Sequence, residues 1–143
     1  EGIFRNSALH GLQEGHSVVA VRIDGSLYFA SMAFVEEKIL NIVSKHKDAD
    51  YLMVDAISIN RIDASCALAI VTLVEKLKAA KIEIVFGGVK SSIRSMMEKS
   101  GLSLEYIDKR IFRRKKDALS WIKKEMIKNG LETQSEPLLQ NIE

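Results

Sequence analysis

Residues 52–77, LMVDAISINRIDASCALAIVTLVEKL, constrain the fold more than any other stretch of this chain. A short apolar run, Leu52, Met53 and Val54, stops at Asp55, and a polar loop is expected from there to Asp63. Asp63, Ala64 and Ser65 then open a long apolar pattern that sets Ala67, Ile70, Val71, Val74 and Leu77 on one helical face. Lys76, Lys78 and Lys81 close it with cations suited to the negative end of a helix. A buried strand feeding a loop, with a helix N-terminus at its far end, is a place to present polar groups or receive an anion.

The flanking segments repeat this alternation. Residues 18–23 are β-branched, Asp24-Gly25 is a turn signal, and residues 27–29 read as the return strand of a hairpin. Ser31 is a candidate N-cap for a helix carrying Met32, Val35, Ile39, Ile42 and Val43 on one face. Residues 82–86 form a further strand ending in Gly87-Gly88. Ser91 or Ser92 then caps a short helix with Ile93, Met96 and Met97 inward, and Gly101 occupies a C′ position. Residues 104–107 suggest an edge strand, and 115–128 a last helix with Leu119, Ile122 and Met126 at helical spacing. The order β-β-α-β-α-β-α-β-α predicts an α/β fold, with a mostly parallel or mixed central sheet of about five strands and helices packed on it. One domain over 18–128 is expected, after a linker segment over 1–17 and before a polar, fraying tail over 129–143 that holds the single proline, Pro137.

With 143 residues, such a domain buries roughly 68–70% of its unfolded surface and needs no disulfide. Its one cysteine, Cys66, forms neither an intramolecular disulfide nor a metal constellation, so no metal or cofactor is expected. The longest apolar stretch, 66–74 with one Thr, falls far short of the roughly 20 residues a membrane helix requires. A net charge of +2 argues for neither nucleic acid nor membrane as a bulk partner. His10, His16 and His46 are scattered and build no triad with Ser65 or Cys66. Asp55, Asn60, Arg61 and Asp63 are the only dense polar set, and their spacing fits loop structure. No catalytic constellation emerges, and the chain is read as non-enzymatic.

The segment order and wording over about 18–128 resemble the STAS domain, a module shared by bacterial anti-sigma-factor antagonists and the cytoplasmic ends of SulP anion transporters. The most specific part is the strand-loop-helix around Asp55 and Asp63, similar to the family's apolar strand, Asp, loop, then Asp-Ser-Ser/Thr-Gly. A second match is Phe86-Gly87-Gly88-Val89-Lys90, with a helix closing in Met97-Glu98-Lys99-Ser100-Gly101-Leu102. Two features resemble the transporter branch: Arg22-Ile23-Asp24-Gly25-Ser26-Leu27-Tyr28-Phe29-Ala30, and the connecting segment Phe4-Arg5-Asn6-Ser7. The chain departs where antagonists carry a phosphorylatable Ser directly after the motif Asp. Ala64 stands there, Ser65 follows one position later, and Cys66 occupies a common Gly position.

Three surfaces are candidates. Asn60, Arg61, Asp63, Ser65 and Cys66 form a regulatory or partner surface at the helix start; against it stands plain N-capping by Asp63 or Ser65, and packing by Cys66. Gly87, Gly88, Lys90 and Ser91 could contact an anion or nucleotide weakly, although the P-loop spacing is absent and a tight turn needing permissive backbone explains the glycines equally. Lys109, Arg110, Arg113, Arg114, Lys115 and Lys116 place six cations in eight residues, a patch for anionic lipid or an acidic partner, or a solvated loop. No aromatic platform interleaves them, so nucleic acid is not expected. The resemblance implies a cytoplasmic regulatory or interaction domain of a SulP-type sulfate or anion transporter, at the inner face of a bacterial membrane. Its partners would be the membrane domain of its own chain, a cytosolic regulatory protein, or a second copy in a homodimer. The alternative is a free-standing antagonist-like signalling module.

Overall fold

The structure, a computed structural model, describes residues 4–5, 18–27 and 29–129. The chain runs β1 (Phe4–Arg5), β2 (Val18–Leu27), α1 (Phe29–Lys45), β3 (Tyr51–Ile62), α2 (Ala64–Ala79), β4 (Glu83–Gly87), α3 (Ser91–Lys99), α4 (Leu104–Arg110) and α5 (Lys115–Lys128). One sheet has the order β1-β2-β3-β4. Strands β2, β3 and β4 are parallel, and the two-residue β1 pairs antiparallel with Ile23 and Arg22 of β2.

Strand alternation sorts the core into two layers. Val19, Val21, Leu52, Val54, Ile84 and Phe86 point to one face, where they pack with Met32, Val35 and Ile39 of α1, Ile70, Leu73 and Leu77 of α2, and Ile93 and Met97 of α3. Val18, Ala20, Tyr51, Met53 and Val85 point to the other, against Ala118, Ile122 and Met126 of α5. Each fully buried aliphatic side chain in these layers stabilises by roughly 1.5–3 kcal/mol. The parallel sheet with helices on both faces agrees with the predicted class.

The expected five strands do not appear: three parallel strands and the short β1 make up the sheet among the described residues. The predicted hairpin at Asp24-Gly25 is instead one continuous strand. Gly25 has a φ of 90°, which a turn signal anticipates, but the register with β3 shifts there, so the chain bulges and does not reverse. The polar loop after Asp55 is also strand, since β3 spans twelve residues and its far half pairs with Asp24, Gly25 and Leu27. The predicted edge strand at 104–107 is helix α4. Ser103 caps it by accepting from the Tyr106 N–H at 3.1 Å, and Ile107 and Ile111 follow at helical spacing to bury on one side.

Helix α1 begins at Phe29, ahead of the expected cap Ser31, and Lys90 holds the N-cap position of α3 in place of Ser91 or Ser92. Gly101 is the C′ residue of α3, with a φ of 113° and its N–H on the Glu98 carbonyl. The same ending closes α2, but there Lys81 takes the left-handed position, with a φ of 67°. The linker segment apart from 4–5, and the tail apart from Asn129, lie outside the described residues, as do His10 and His16.

Candidate functional site

Two bulges in β3 build the surface at the start of α2. Arg22 pairs with Asp55 and Asp24 with Ser58, so two β3 residues, Ala56 and Ile57, oppose one on β2. Between the pairs Gly25–Ile59 and Leu27–Ile62 the same happens with Asn60 and Arg61. The buried positions therefore recur every third residue, at Ala56, Ile59 and Ile62, and the surplus residues are turned outward. Ile57 is 50% exposed, and Asn60 and Arg61 are exposed. The Arg22 guanidinium steadies this ribbon by donating to Asp24 Oδ1 at 3.0 Å and to Ser58 Oγ at 2.9 Å.

Asp63 is the N-cap of α2. Its backbone is extended, and Oδ1 accepts from the Cys66 N–H at 2.8 Å. Ala64, Ser65 and Leu68 face outward from the first turns, Leu68 at 57% exposure, whereas Cys66 is fully buried. Burial pushes the Cys66 thiol up to about 12, and the hydrogen bond and negative charge of Asp63 push the same way. The helix start therefore does not activate this thiol, and Cys66 works as a small apolar residue under the site. Of the five residues predicted here, Asn60, Arg61 and Ser65 share the surface, with Asp63 beside them as the cap.

The Gly-Gly stretch is a packing device. A Cβ on Gly87 would lie 2.9 Å from Lys115 Cα and 3.1 Å from Ala118 Cβ, so this glycine lets α5 close on the sheet. Gly88 has a φ of 76°, and a Cβ there would lie 3.0 Å from Ile57 Cα. Lys90 reaches back across the same junction and donates to the carbonyls of Ile57, at 2.5 Å, and Ile59, at 3.2 Å. These bonds direct its ammonium at the part of β3 beyond Asp55, where pairing with β4 has ended; Ser91 is exposed on the first turn of α3.

The basic run is largely tied down. Arg110 forks onto Glu83, with Nη2 at 3.2 Å from Oε2, and its guanidinium lies 5.1 Å from the Trp121 ring centroid. Lys109 pairs with Glu105 and Arg114 with Asp117, both at 3.3 Å on exposed surface. Lys115 meets Asp55 at 3.5 Å. Among the described residues Arg113 and Lys116 have no ion pair, so the patch presents two free cations in place of six.

Asp55 was missed as a site residue. It is the one buried charged side chain among the described residues, 1% exposed, and Oδ1 also accepts from the Ile57 N–H at 3.2 Å. Its place directly after an apolar strand run was the available signal. Leu68 was legible too, since it falls off the apolar face defined by Ala67, Ile70 and Val71. No cluster of metal-ligating side chains occurs among the described residues, and no helix among them is long and apolar enough to cross a membrane.

Comparison with known proteins gives a consistent fold. Residues 12–118 match the family described as the STAS domain. A search of curated protein sequences returned no match. Among solved structures, the murine Slc26a9 anion transporter in its inward-facing state aligns with a TM-score of 0.63 and 17% identity, over 76% of this chain and 18% of that one. The SulP transporter STAS domain from Vibrio cholerae aligns with a TM-score of 0.57 and 14% identity, over 73% and 85%. The unphosphorylated anti-sigma factor antagonist SpoIIAA aligns with a TM-score of 0.59 and 14% identity, over 85% and 96%. At these identities the likeness is one of fold. The chain spans about a fifth of the SLC26A9 chains it aligns with.

Proposed function

This chain belongs to the STAS domain family, and from that premise we propose that it is the regulatory interaction domain of a SulP-type sulfate or anion transporter. It acts at the cytoplasmic face of the membrane, by contact with the transporter's membrane domain or with cytosolic proteins, and it performs no catalysis. The observation that carries this reading is Ala64. It is exposed in the first turn of α2, beside the N-cap Asp63, at the position where the resemblance puts the antagonists' phosphoacceptor. A methyl group there accepts no phosphoryl group, while Asn60, Arg61, Ser65 and Leu68 around it still offer a polar surface with an apolar centre. The Arg22 to Ala30 wording and the solved SulP and Slc26a9 neighbours support the same attachment.

The coding sequence upstream of Glu1 tests the proposal directly. About ten or more apolar spans of roughly 20 residues, ending shortly before Phe4, are expected. A start Met within a few residues, with no such spans, overturns it.

A second reading, a free-standing antagonist-like module, draws on Ser65, an exposed hydroxyl in the same helical turn. Phosphorylation there would add about −1.5 to −2 charge at the positive end of α2. Mass spectrometry of protein from its native cells that finds Ser65 unmodified across growth conditions removes this reading.

A further inference from the structure

At the opposite end of the sheet, where β3 and β4 begin, a cavity of about 280 Å³ opens between the sheet and α5. Tyr51 and Trp121 form its aromatic wall, edge to face with centroids 6.3 Å apart. The Arg110 guanidinium already lies over the Trp121 ring at 5.1 Å and forks onto Glu83. The cavity is thus built around one guanidinium, held as such groups are held at recognition sites, by a π face and a bidentate carboxylate.

The remaining charges are unbalanced. Asp50 and Glu125 line the same cavity and make no ion pair among the described residues. Burial holds the Tyr51 phenol above its usual range, and the negative charges of Glu125, Glu83 and Asp50 push the same way. With Glu83 and Arg110 cancelling, Asp50 and Glu125 stand against Lys81 alone, leaving one negative charge in excess beside an aromatic wall.

We propose that this cavity is a binding site for a second guanidinium, seated between Asp50, Glu125 and the Tyr51–Trp121 wall. The ligand class is a monocationic guanidinium compound, either a free small molecule or an arginine side chain of a partner. The site lies at the far end of the strands from the α2 surface and stands independently of the transporter reading.

Trp121 is the chain's sole tryptophan, so its fluorescence reports on this wall and nothing else. The full chain is titrated at low salt with Nα-acetyl-arginine amide (arginine amide below), which carries one charge, with Nα-acetyl-citrulline amide (citrulline amide below) as the neutral isostere, and with a capped Gly-Arg-Gly peptide. Arginine amide is expected to give a saturable change that citrulline amide does not give. Asp50→Asn combined with Glu125→Gln weakens it at least tenfold. Lys81→Met removes the competing cation and tightens it severalfold, a gain that misfolding cannot produce. Tighter binding of the peptide than of arginine amide assigns the site to a partner's side chain, and equal or weaker binding to a free small cation. A linear response, an equal response to citrulline amide, or affinities unmoved by the Asp50/Glu125 and Lys81 variants overturns the proposal.

Discussion

The Asp55–Lys115 pair holds α5 to the sheet, and Lys115→Met tests how strongly. Lys115 is the first residue of α5, where a cation opposes the helix dipole, and Asp55 beneath it offsets that opposition. At 3.5 Å and an effective dielectric near 20, the gross attraction is about 5 kcal/mol. Desolvation removes most of that. The Asp55 side chain is 2% exposed and that of Lys115 34%, between a rim pair worth about 0–1 kcal/mol and a buried one whose breakage costs about 3–5. Lys115→Met should therefore cost about 2 kcal/mol, because the carboxylate stays buried and keeps the Ile57 N–H as its donor. Asp55→Asn should cost less, about 1 kcal/mol, since the amide oxygen still accepts from Ile57 while the ammonium can turn to water. The double variant should fall short of the sum by about 1 kcal/mol. Urea unfolding followed by Trp121, which sits on α5, reads all three, with the exposed Lys116→Met as control. If Lys115→Met costs no more than Lys116→Met, the pair contributes nothing and the reasoning fails.

Further outcomes follow from the same geometry. Gly88→Ala should destabilise by about 1–2 kcal/mol for the left-handed backbone alone, and by more because its Cβ meets Ile57 backbone at 3.0 Å; thermal unfolding within about 1 °C of the unmodified protein would contradict this. Lys81→Gly should stabilise by about 0.5–1 kcal/mol, since glycine takes the α2 C′ conformation without strain, and a lowered midpoint in urea would count against that account. The raised Cys66 thiol predicts slow alkylation by iodoacetamide at pH 8.5 in the folded protein and fast alkylation in urea; equal rates would place the thiol at the surface. Its proton is held more tightly folded than unfolded, so its stabilising contribution is complete below about pH 9 and is lost as pH rises toward about 12. Tyr106, raised mainly by burial with its hydroxyl on the Ile84 carbonyl, acts in the same direction, so unfolding midpoints should fall steadily above pH 9.

The parts of the fold that were legible in the sequence are those with one clean period. Helix α5 was read at its observed bounds because Leu119, Ile122 and Met126 keep helical spacing between polar neighbours. The first half of β3 was equally plain. Its second half was read as loop because the bulges replace the period of two by a period of three, at Ala56, Ile59 and Ile62, which no strand template matches. The Asp24-Gly25 pair did signal a φ above zero, but local chemistry does not distinguish a chain reversal from a bulge; only the parallel partner β3, far away in sequence, decides that. At 104–107, four residues were too few to separate strand from helix, and the Ser103 cap and the i, i+4 pair Ile107 and Ile111 carried the signal.

The misreadings and the candidate site share one cause. A regular β3 would alternate its side chains and bury or solvate them in turn. Two surplus residues instead push Ile57, Asn60 and Arg61 outward, and past Asp55, where pairing with β4 ends, the Ile57 and Ile59 carbonyls accept from the Lys90 ammonium. Gly88 is required because Ile57 is displaced toward it, and Asp55 is capped by the Ile57 N–H for the same reason. The irregularity that hid the strand from a periodicity argument is therefore what delivers Asp63 and the start of α2 to an exposed surface. Removing Ile57, which takes out the first of the two bulges, should keep the core strands yet shift that surface, which loss of partner binding with retained helical circular dichroism would reveal.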